Sequence, residues 1–310
     1  MEKSMKIAII GAGAMGSLFG VKLSSVPENT VYLLDVWTEH VDAVNSHGVL
    51  MELGCESTTY ENLIASTDAA SVGHADLAII LVKSTDTKQA VESNMDVFGP
   101  ETTIITLQNG LGNVELIREV VGDKNVVAGT TSHGAMVLGP GKIRHTGAGK
   151  TIIGELDGSQ TDRIKTITDA FNKACIETNL SDDVMSAIWG KLLVNAGINA
   201  LAGITKCHNG ELIEHPELME LLELAVLEGV AVAEAKGIKL GFADPVSRTK
   251  EVCMATAKNK ASMLQDILNN RKTEIDMING AIVREGNKLD IATPINAALT
   301  NLIHFFEKQR

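Results

Sequence analysis

The chain has 310 residues, a net charge of −12, 45% hydrophobic and 21% charged residues, and 6 prolines. That length predicts two domains, and that composition excludes a disordered or low-complexity chain. The acidic balance argues against nucleic acid or an anionic membrane as partner, so an anionic substrate has to be drawn in by a local cation.

In chain order, the apolar start "MEKSMKIAII" is short and runs straight into a glycine motif, which is the wrong shape for a signal peptide or a membrane span. Short apolar runs then alternate with segments long enough for helices. "KIAII" (6–10), "VYLL" (31–34), "DLAIILV" (76–82), "TTIITL" (102–107) and "NVVAGT" (125–130) predict strands buried on both faces. The expected fold class is α/β, a Rossmann-type doubly wound parallel sheet followed by an all-helical C-terminal domain. "GKIRHTGAGKTIIGEL" (141–156) predicts a further hairpin with a Gly-containing turn, and residues 161–175 a closing helix.

From Ser181 onward the period changes. "HPELMELLELAVLEGVAVAEAKG" (215–237) has Pro near its start and Gly at its end, and "DPVSRTKEVCMATA" opens as Asp-Pro, both of which are helix boundaries. The first of these helices is amphipathic and is also a candidate homodimer surface. The expected domains are a dinucleotide-binding domain over 1–180 and a helical substrate and catalytic domain over 181–310.

"GAGAMG" places Gly11, Gly13 and Gly16 directly after the first strand and at the opening of a helix. The first glycine permits the tight turn, the second lets the backbone approach a pyrophosphate, and the third allows close helix–strand packing. Ala14 and Met15 belong to the same helix N-terminus, whose amides and positive dipole end face the phosphates. Asp35, nineteen positions after Gly16 at the end of the second strand, suits a ribose diol and repels a 2′-phosphate. NAD is therefore expected over NADP.

In the helical half, "WGKLLVNAGIN" (189–199) carries Lys191, Asn195 and Asn199 on an otherwise apolar helix. Their i, i+4, i+8 spacing forms one stripe, a single wet seam on a buried helix. Burying a lysine is costly, so a group must be there to receive it. Asn109, in "LQNGLGN" after the fifth predicted strand, lies where ligands bind in open α/β sheets. Reduction of a carbonyl by a nicotinamide dinucleotide needs a hydride donor, a proton donor at the carbonyl oxygen and polar groups that hold the substrate. Lys191 can be that proton donor if a neighbouring carboxylate opposes the loss of its own proton.

The stretches "KIAIIGAGAMGS", "LVKSTDT", "LQNGLGN", "GTTSHGA", "WGKLLVNAGINAL", "HNGEL" and "NKASMLQDILNNRKTEID" together resemble the ketopantoate reductase family. The resemblance implies that Lys191 protonates or polarises the substrate carbonyl and that Glu274 supports it. It further implies that Asn195, Asn199 and Ser262, with Asn259 one turn earlier, hold the substrate, that Asn109 lies beside the nicotinamide, and that Lys83 is near the adenosine end of the cofactor. Most members look like NADPH enzymes with a basic residue where this chain has Asp35. That departure favours the NAD-linked D-2-hydroxyacid dehydrogenases among the relatives, of the mandelate or hydroxyisocaproate type, with 2-dehydropantoate 2-reductase as the competing activity.

The expected partner is a small 2-oxo or 2-hydroxy acid. Cys55, Cys175, Cys207 and Cys253 form no C-x-x-C pair, and His133, His208 and His215 have no metal-ligand spacing, so reduced cytoplasmic thiols and no metal are expected. A dinucleotide-sensing protein without activity would have no need of Lys191 and Glu274. A methyltransferase would fit neither Gly16 nor the helical second half.

Overall fold

The computed structural model describes residues 4–309. The chain divides into two compact units: one runs through Gln108 and resumes over Asn113–Val184, and the other joins Asn109–Gly112 to the chain from Met185 onward.

The first unit contains β1 (Met5–Ile10), α1 (Ala14–Ser24), β2 (Asn29–Leu34), α2 (Thr38–His47), β3 (Val49–Leu53), β4 (Glu56–Tyr60), β5 (Ile64–Ser66), β6 (Leu77–Ile80), α3 (Thr87–Ser93), β7 (Thr103–Thr106) and α4 (Asn113–Val121). It continues through β8 (Val126–Thr131), β9 (Gly134–Gly139), β10 (Lys142–Gly147), β11 (Thr151–Gly154), α5 (Asp162–Lys173) and β12 (Thr178–Leu180). Eight strands form one sheet in the order β12-β11-β8-β7-β6-β1-β2-β5. Its central strands β1 and β6 are buried at every position from Ile7 to Ile10 and from Leu77 to Ile80. Both faces are covered, which is why they are continuous apolar runs with no alternation.

The strand β1 has β2 on one side and β6 on the other, both parallel to it. The chain thus reverses its direction of travel across the sheet at β1. In open α/β sheets a ligand crevice lies outside the carboxyl ends of the strands at such a point.

Two sequence expectations change. Residues 141–156 are not a hairpin: β10 pairs with β9 and β3, whereas β11 joins the large sheet between β8 and β12. Local β-branched content is compatible with either pairing, because partner choice is set by which faces are buried. The strand β11 also runs antiparallel to β8, so the large sheet is mixed and not wholly parallel. A second sheet, β4-β3-β10-β9, has no counterpart in the sequence reading. Its strand β4, "ESTTY", is exposed at four of its five positions and therefore leaves no apolar run to detect.

The second unit is helical: α6 (Val184–Thr205), α7 (Glu211–Glu214), α8 (Pro216–Ala235), α9 (Pro245–Ala255), α10 (Ser262–Leu268), α11 (Asn279–Lys288) and α12 (Pro294–Glu307). Proline opens α8, α9 and α12, where its missing N–H costs nothing. Asp244 caps α9 by accepting from the Ser247 amide at 3.0 Å, which satisfies one of the first-turn donors that has no acceptor within the helix. The core gathers around α6, with Trp189, Leu193, Leu222, Val226, Ile282 and Ile303 fully buried. By length and hydropathy α6 could span a membrane, but 67% of its apolar window is covered within the structure, as in the core helix of a globular unit. The helix α8 buries Leu222, Val226 and Val232 and leaves Leu224 and Leu227 exposed.

Candidate active site

At the carboxyl end of β1, the Gly11 amide donates to the Leu34 carbonyl at 2.8 Å, which bends the chain into α1. Gly11 has φ +96°, and a Cβ there would lie 2.6 Å from the backbone nitrogen of Val82. At Gly16 a Cβ would lie 1.8 Å from the Gly11 carbonyl oxygen. Both are glycine by necessity of the turn itself. Gly13 differs, because a Cβ there would meet nothing within 4 Å. The middle glycine borders open space at the N-terminus of α1, where Ala14 and Met15 contribute first-turn amides that have no acceptor within the helix. A pyrophosphate fits that cradle, since it needs close backbone approach and donors.

The loops after β2 and β6 flank the cradle. Asp35 accepts from the Ala12 amide at 2.6 Å and from the Trp37 amide at 3.0 Å, so its carboxylate is fixed at the rim of the glycine loop. Lys83 is half-buried and starts the short turn Ser84–Asp86 past β6, with its carbonyl accepting the Asp86 amide at 2.8 Å.

In the second unit, Lys191, Asn109 and Glu274 come together. The Lys191 Nζ donates to Asn109 Oδ1 at 2.8 Å, and Asn109 Nδ2 donates to Glu274 Oε2 at 3.1 Å. Glu274 is only 6% exposed, and burial pulls the Lys191 ammonium down to about 8 while the Glu274 charge opposes that fall. The turn carrying Asn109 is locked by its neighbours. The Leu111 amide donates to the Met277 carbonyl at 2.8 Å, and Gly110 has φ +85°, with no room for a Cβ beside that same carbonyl. Glu274 immediately precedes the short helical turn Ile275–Met277, and its side chain is used on Asn109 instead of as a cap.

Asn199 is buried and Asn195 half-buried, as the stripe on α6 requires. Asn259 and Ser262 stand outside the hydrogen-bonded trio, exposed at and just before the first turn of α10. Asn259 is held by its backbone, its carbonyl accepting from Asn209 at 3.0 Å.

Several supporting residues escape the sequence reading. Gln108 donates to the Val82 carbonyl and to Thr87 Oγ1, both at 2.8 Å, and accepts from Thr106 Oγ1 at 2.9 Å. Thr87 in turn donates to Asn113 Oδ1 at 3.0 Å. This buried network ties together the loops after β6 and β7, on which Lys83 and Asn109 begin. The cue was available, since polar residues at the carboxyl ends of two apolar strands must be hydrogen-bonded if buried. On α6, the Ala196 carbonyl accepts from buried Asn279 Nδ2 at 3.0 Å, which fixes the helix between Asn195 and Asn199. No cluster of three or more His, Cys, Asp or Glu suited to a metal occurs among the described residues. His133 and His145 pair at 3.2 Å and His208 with Glu211 at 3.0 Å.

The sequence matches the profile of "Ketopantoate reductase PanE/ApbA" over residues 7–158 and that of its C-terminal part over 183–307. The chain is 36% identical to a 2-dehydropantoate 2-reductase of Halobacterium salinarum over 98% of this chain and 99% of the relative. Among solved structures, a PanE/ApbA family ketopantoate reductase from Ralstonia eutropha superposes with a TM-score of 0.90 at 31% identity, covering 98% of this chain and 99% of that one. A D-mandelate dehydrogenase with NADH and anilino(oxo)acetate superposes at 0.91 and 30% identity, with the same coverage. The chain belongs to the ketopantoate reductase PanE/ApbA family, whose members are nicotinamide-dependent oxidoreductases acting on the CH–OH group of 2-hydroxy acids.

Proposed function

We propose that this protein is an NAD-linked D-2-hydroxyacid dehydrogenase that reversibly reduces a branched or aromatic 2-oxo acid. In this reading the first unit binds the dinucleotide and the second carries the substrate and catalytic groups. The carrying observation is Asp35. Its carboxylate is held at the glycine loop by two backbone amides, and residues 35–39, "DVWTE", hold two acids and no lysine or arginine. Each oxygen keeps a lone pair for a ribose hydroxyl, whereas a 2′-phosphate would meet negative charge. The likeness to the NADH-bound D-mandelate dehydrogenase supports the same choice.

A nicotinamide dinucleotide held by the cradle of Gly11, Gly13 and Gly16 would supply the hydride chemistry at the carbonyl carbon, in either direction. Lys191 gives its proton to the carbonyl oxygen as the hydroxyl forms, and takes one from the hydroxyl in oxidation. A pKa of about 8 suits both roles near neutral pH. Asn109 holds the ammonium in place, and Glu274 keeps it charged until the carbonyl needs the proton. Asn195, Asn199, Asn259 and Ser262 bind the substrate by hydrogen bonds without adding charge. Lys83 serves a ribose or pyrophosphate oxygen of the cofactor.

The competing reading, 2-dehydropantoate 2-reductase, is favoured by the Halobacterium salinarum relative. Oxidation of NADH and NADPH measured against a panel of 2-oxo acids, 2-dehydropantoate included, separates the two. A higher kcat/KM with NADPH and 2-dehydropantoate than with NADH and any aromatic or branched 2-oxo acid would replace the first reading by the second.

A further inference from the structure

His40 lies on α2, has no exposed surface, and is reached by three separate parts of the first unit. Its Nε2 is 3.2 Å from Ser17 Oγ on α1, its Nδ1 is 3.1 Å from the Gly141 amide in the β9–β10 turn, and the Trp37 ring stacks on it at 5.1 Å between centroids. A backbone amide can only donate, so Nδ1 is the bare nitrogen and the proton of the neutral ring sits on Nε2. The Ser17 hydroxyl donates to the Ala12 carbonyl at 2.8 Å, which leaves its oxygen to accept from Nε2. Every bond in the relay therefore has one direction, from His40 through Ser17 to Ala12.

Ala12 lies between Gly11 and Gly13, and Asp35 already holds its amide. The backbone of the phosphate cradle is thus clamped on one side by the carboxylate and on the other by the histidine relay. We propose that His40, as the neutral Nε2–H tautomer, is a positioning residue for the dinucleotide, and that protonating it loosens the glycine loop and weakens cofactor binding. An imidazolium would turn an N–H toward the Gly141 N–H, donor against donor. Burial pushes the pKa of His40 below its ordinary value, and Asp35, the charged group acting on the ring, pulls it back up. The facing positions on α1 and in the β9–β10 turn, Ser17 and Gly141, carry no charge.

The inference rests on the dinucleotide occupying this cradle, and not on which 2-oxo acid is reduced. The test is NADH affinity, followed by cofactor fluorescence from pH 5 to 8, for the wild type, His40→Gln and His40→Phe. In the wild type the Kd should rise as pH falls into the range where His40 gains a proton. His40→Gln keeps a donor for Ser17 and does not titrate, so its Kd should stay within about threefold of wild type at pH 7.5 and lose the acid limb. His40→Phe should raise the Kd about tenfold or more at every pH, with the loss in KM for NADH and far less in kcat at saturating cofactor.

An acid limb that persists in His40→Gln would assign it elsewhere, to a pair such as His133 and His145, and overturn the proposal. So would wild-type affinity in His40→Phe. If His40→Phe does not fold, Ser17→Ala carries the same test, because it cuts the relay at its middle and leaves the ring in place. A wild type that binds neither NADH nor NADPH at any pH would instead remove the cradle assignment itself.

Discussion

The glycine loop of the first unit and the Lys191 cluster of the second solve the same problem, presenting polar groups from an apolar setting, by opposite means. The loop is made of backbone: Gly11, Gly13 and Gly16 fall within one six-residue stretch, and what they contribute is shape, amides and empty space. The cluster is made of side chains from residues 109, 191 and 274, brought together by an asparagine that bridges a lysine and a glutamate. A backbone site has to be written in one stretch of sequence, because its geometry is local. A side-chain site does not, because its geometry is set by packing between distant segments.

The sharpest way to break the comparison is to remove one member of each. Lys191→Ala should lower kcat by about 10²- to 10⁴-fold, the range for a positioned acid, with NADH affinity nearly unchanged. Near-normal turnover would overturn the proposal that it is the proton donor. The same residue should cost stability. Its pKa in the fold, about 8, lies below the ordinary lysine value of 10.5. At pH 7 the half-buried charge is a full penalty, and as pH rises from about 8 towards 10.5 the unfolded chain holds more protons and the penalty is relieved. Lys191→Met should therefore raise the free energy of unfolding at pH 7 by the order of 1 kcal/mol, measured by denaturant titration, while activity collapses. A less stable Lys191→Met would contradict this.

In the glycine loop the two kinds of glycine should separate. A methyl group at position 16 would collide with the Gly11 carbonyl, whereas one at position 13 would meet only open space. Gly16→Ala should destabilise the fold by about 1–3 kcal/mol, as overpacking does. Gly13→Ala should melt like the wild type yet raise the KM for NADH at least about tenfold, equivalent to 1.4 kcal/mol. Equal cofactor affinity in Gly13→Ala and wild type would show that the pyrophosphate does not approach there.

The same contrast explains what the sequence revealed. The central strands β1, β2, β6, β7 and β8 were legible because strands buried on both faces are continuous apolar runs. Helices α8 and α9 were legible from Pro at one end and the residue spacing that follows. The glycine motif disclosed its own turn. The second sheet was not legible, since β4 is exposed along most of its length and β10 differs from a hairpin strand only in its partner. Of the candidate site residues, Lys191, Asn195 and Asn199 stood out through helical period. Glu274 did not, because an acid ahead of a short helical turn is commonplace, and only the family resemblance pointed to it. Gln108 left a cue, a polar residue closing an apolar strand, whereas Thr87 and His40 left none, because partners such as Asn113 and Gly141 lie 26 and 101 positions away.

Cofactor choice tests whether the rim of the backbone site is set by a single side chain. With Asp35 intact, kcat/KM for NADH should exceed that for NADPH by at least about tenfold, and Asp35→Arg should shrink or reverse the ratio. A wild type that uses NADPH as well as NADH would show that the carboxylate does not face the ribose diol. The NAD assignment and the D-2-hydroxyacid dehydrogenase reading would then give way to 2-dehydropantoate reduction.

The finest test concerns the coupling of Glu274 to Lys191. If reduction takes its proton from the Lys191 ammonium, its kcat/KM should fall as pH rises through about 8, while oxidation, which would need the amine, should rise over the same range. Glu274 favours the charged form of Lys191. Replacing it with glutamine keeps an amide oxygen for Asn109 but removes the negative charge, so Glu274→Gln should move both limbs to lower pH. Turnover in reduction should fall most above neutrality and least in mild acid, where Lys191 stays protonated without help. That pattern distinguishes an electrostatic partner from a merely structural one. Loss of the Asn109 contact alone would lower the rate at every pH equally, and a uniform drop in Glu274→Gln with both limbs unmoved would assign the glutamate to holding Asn109 and not to the protonation state of the lysine.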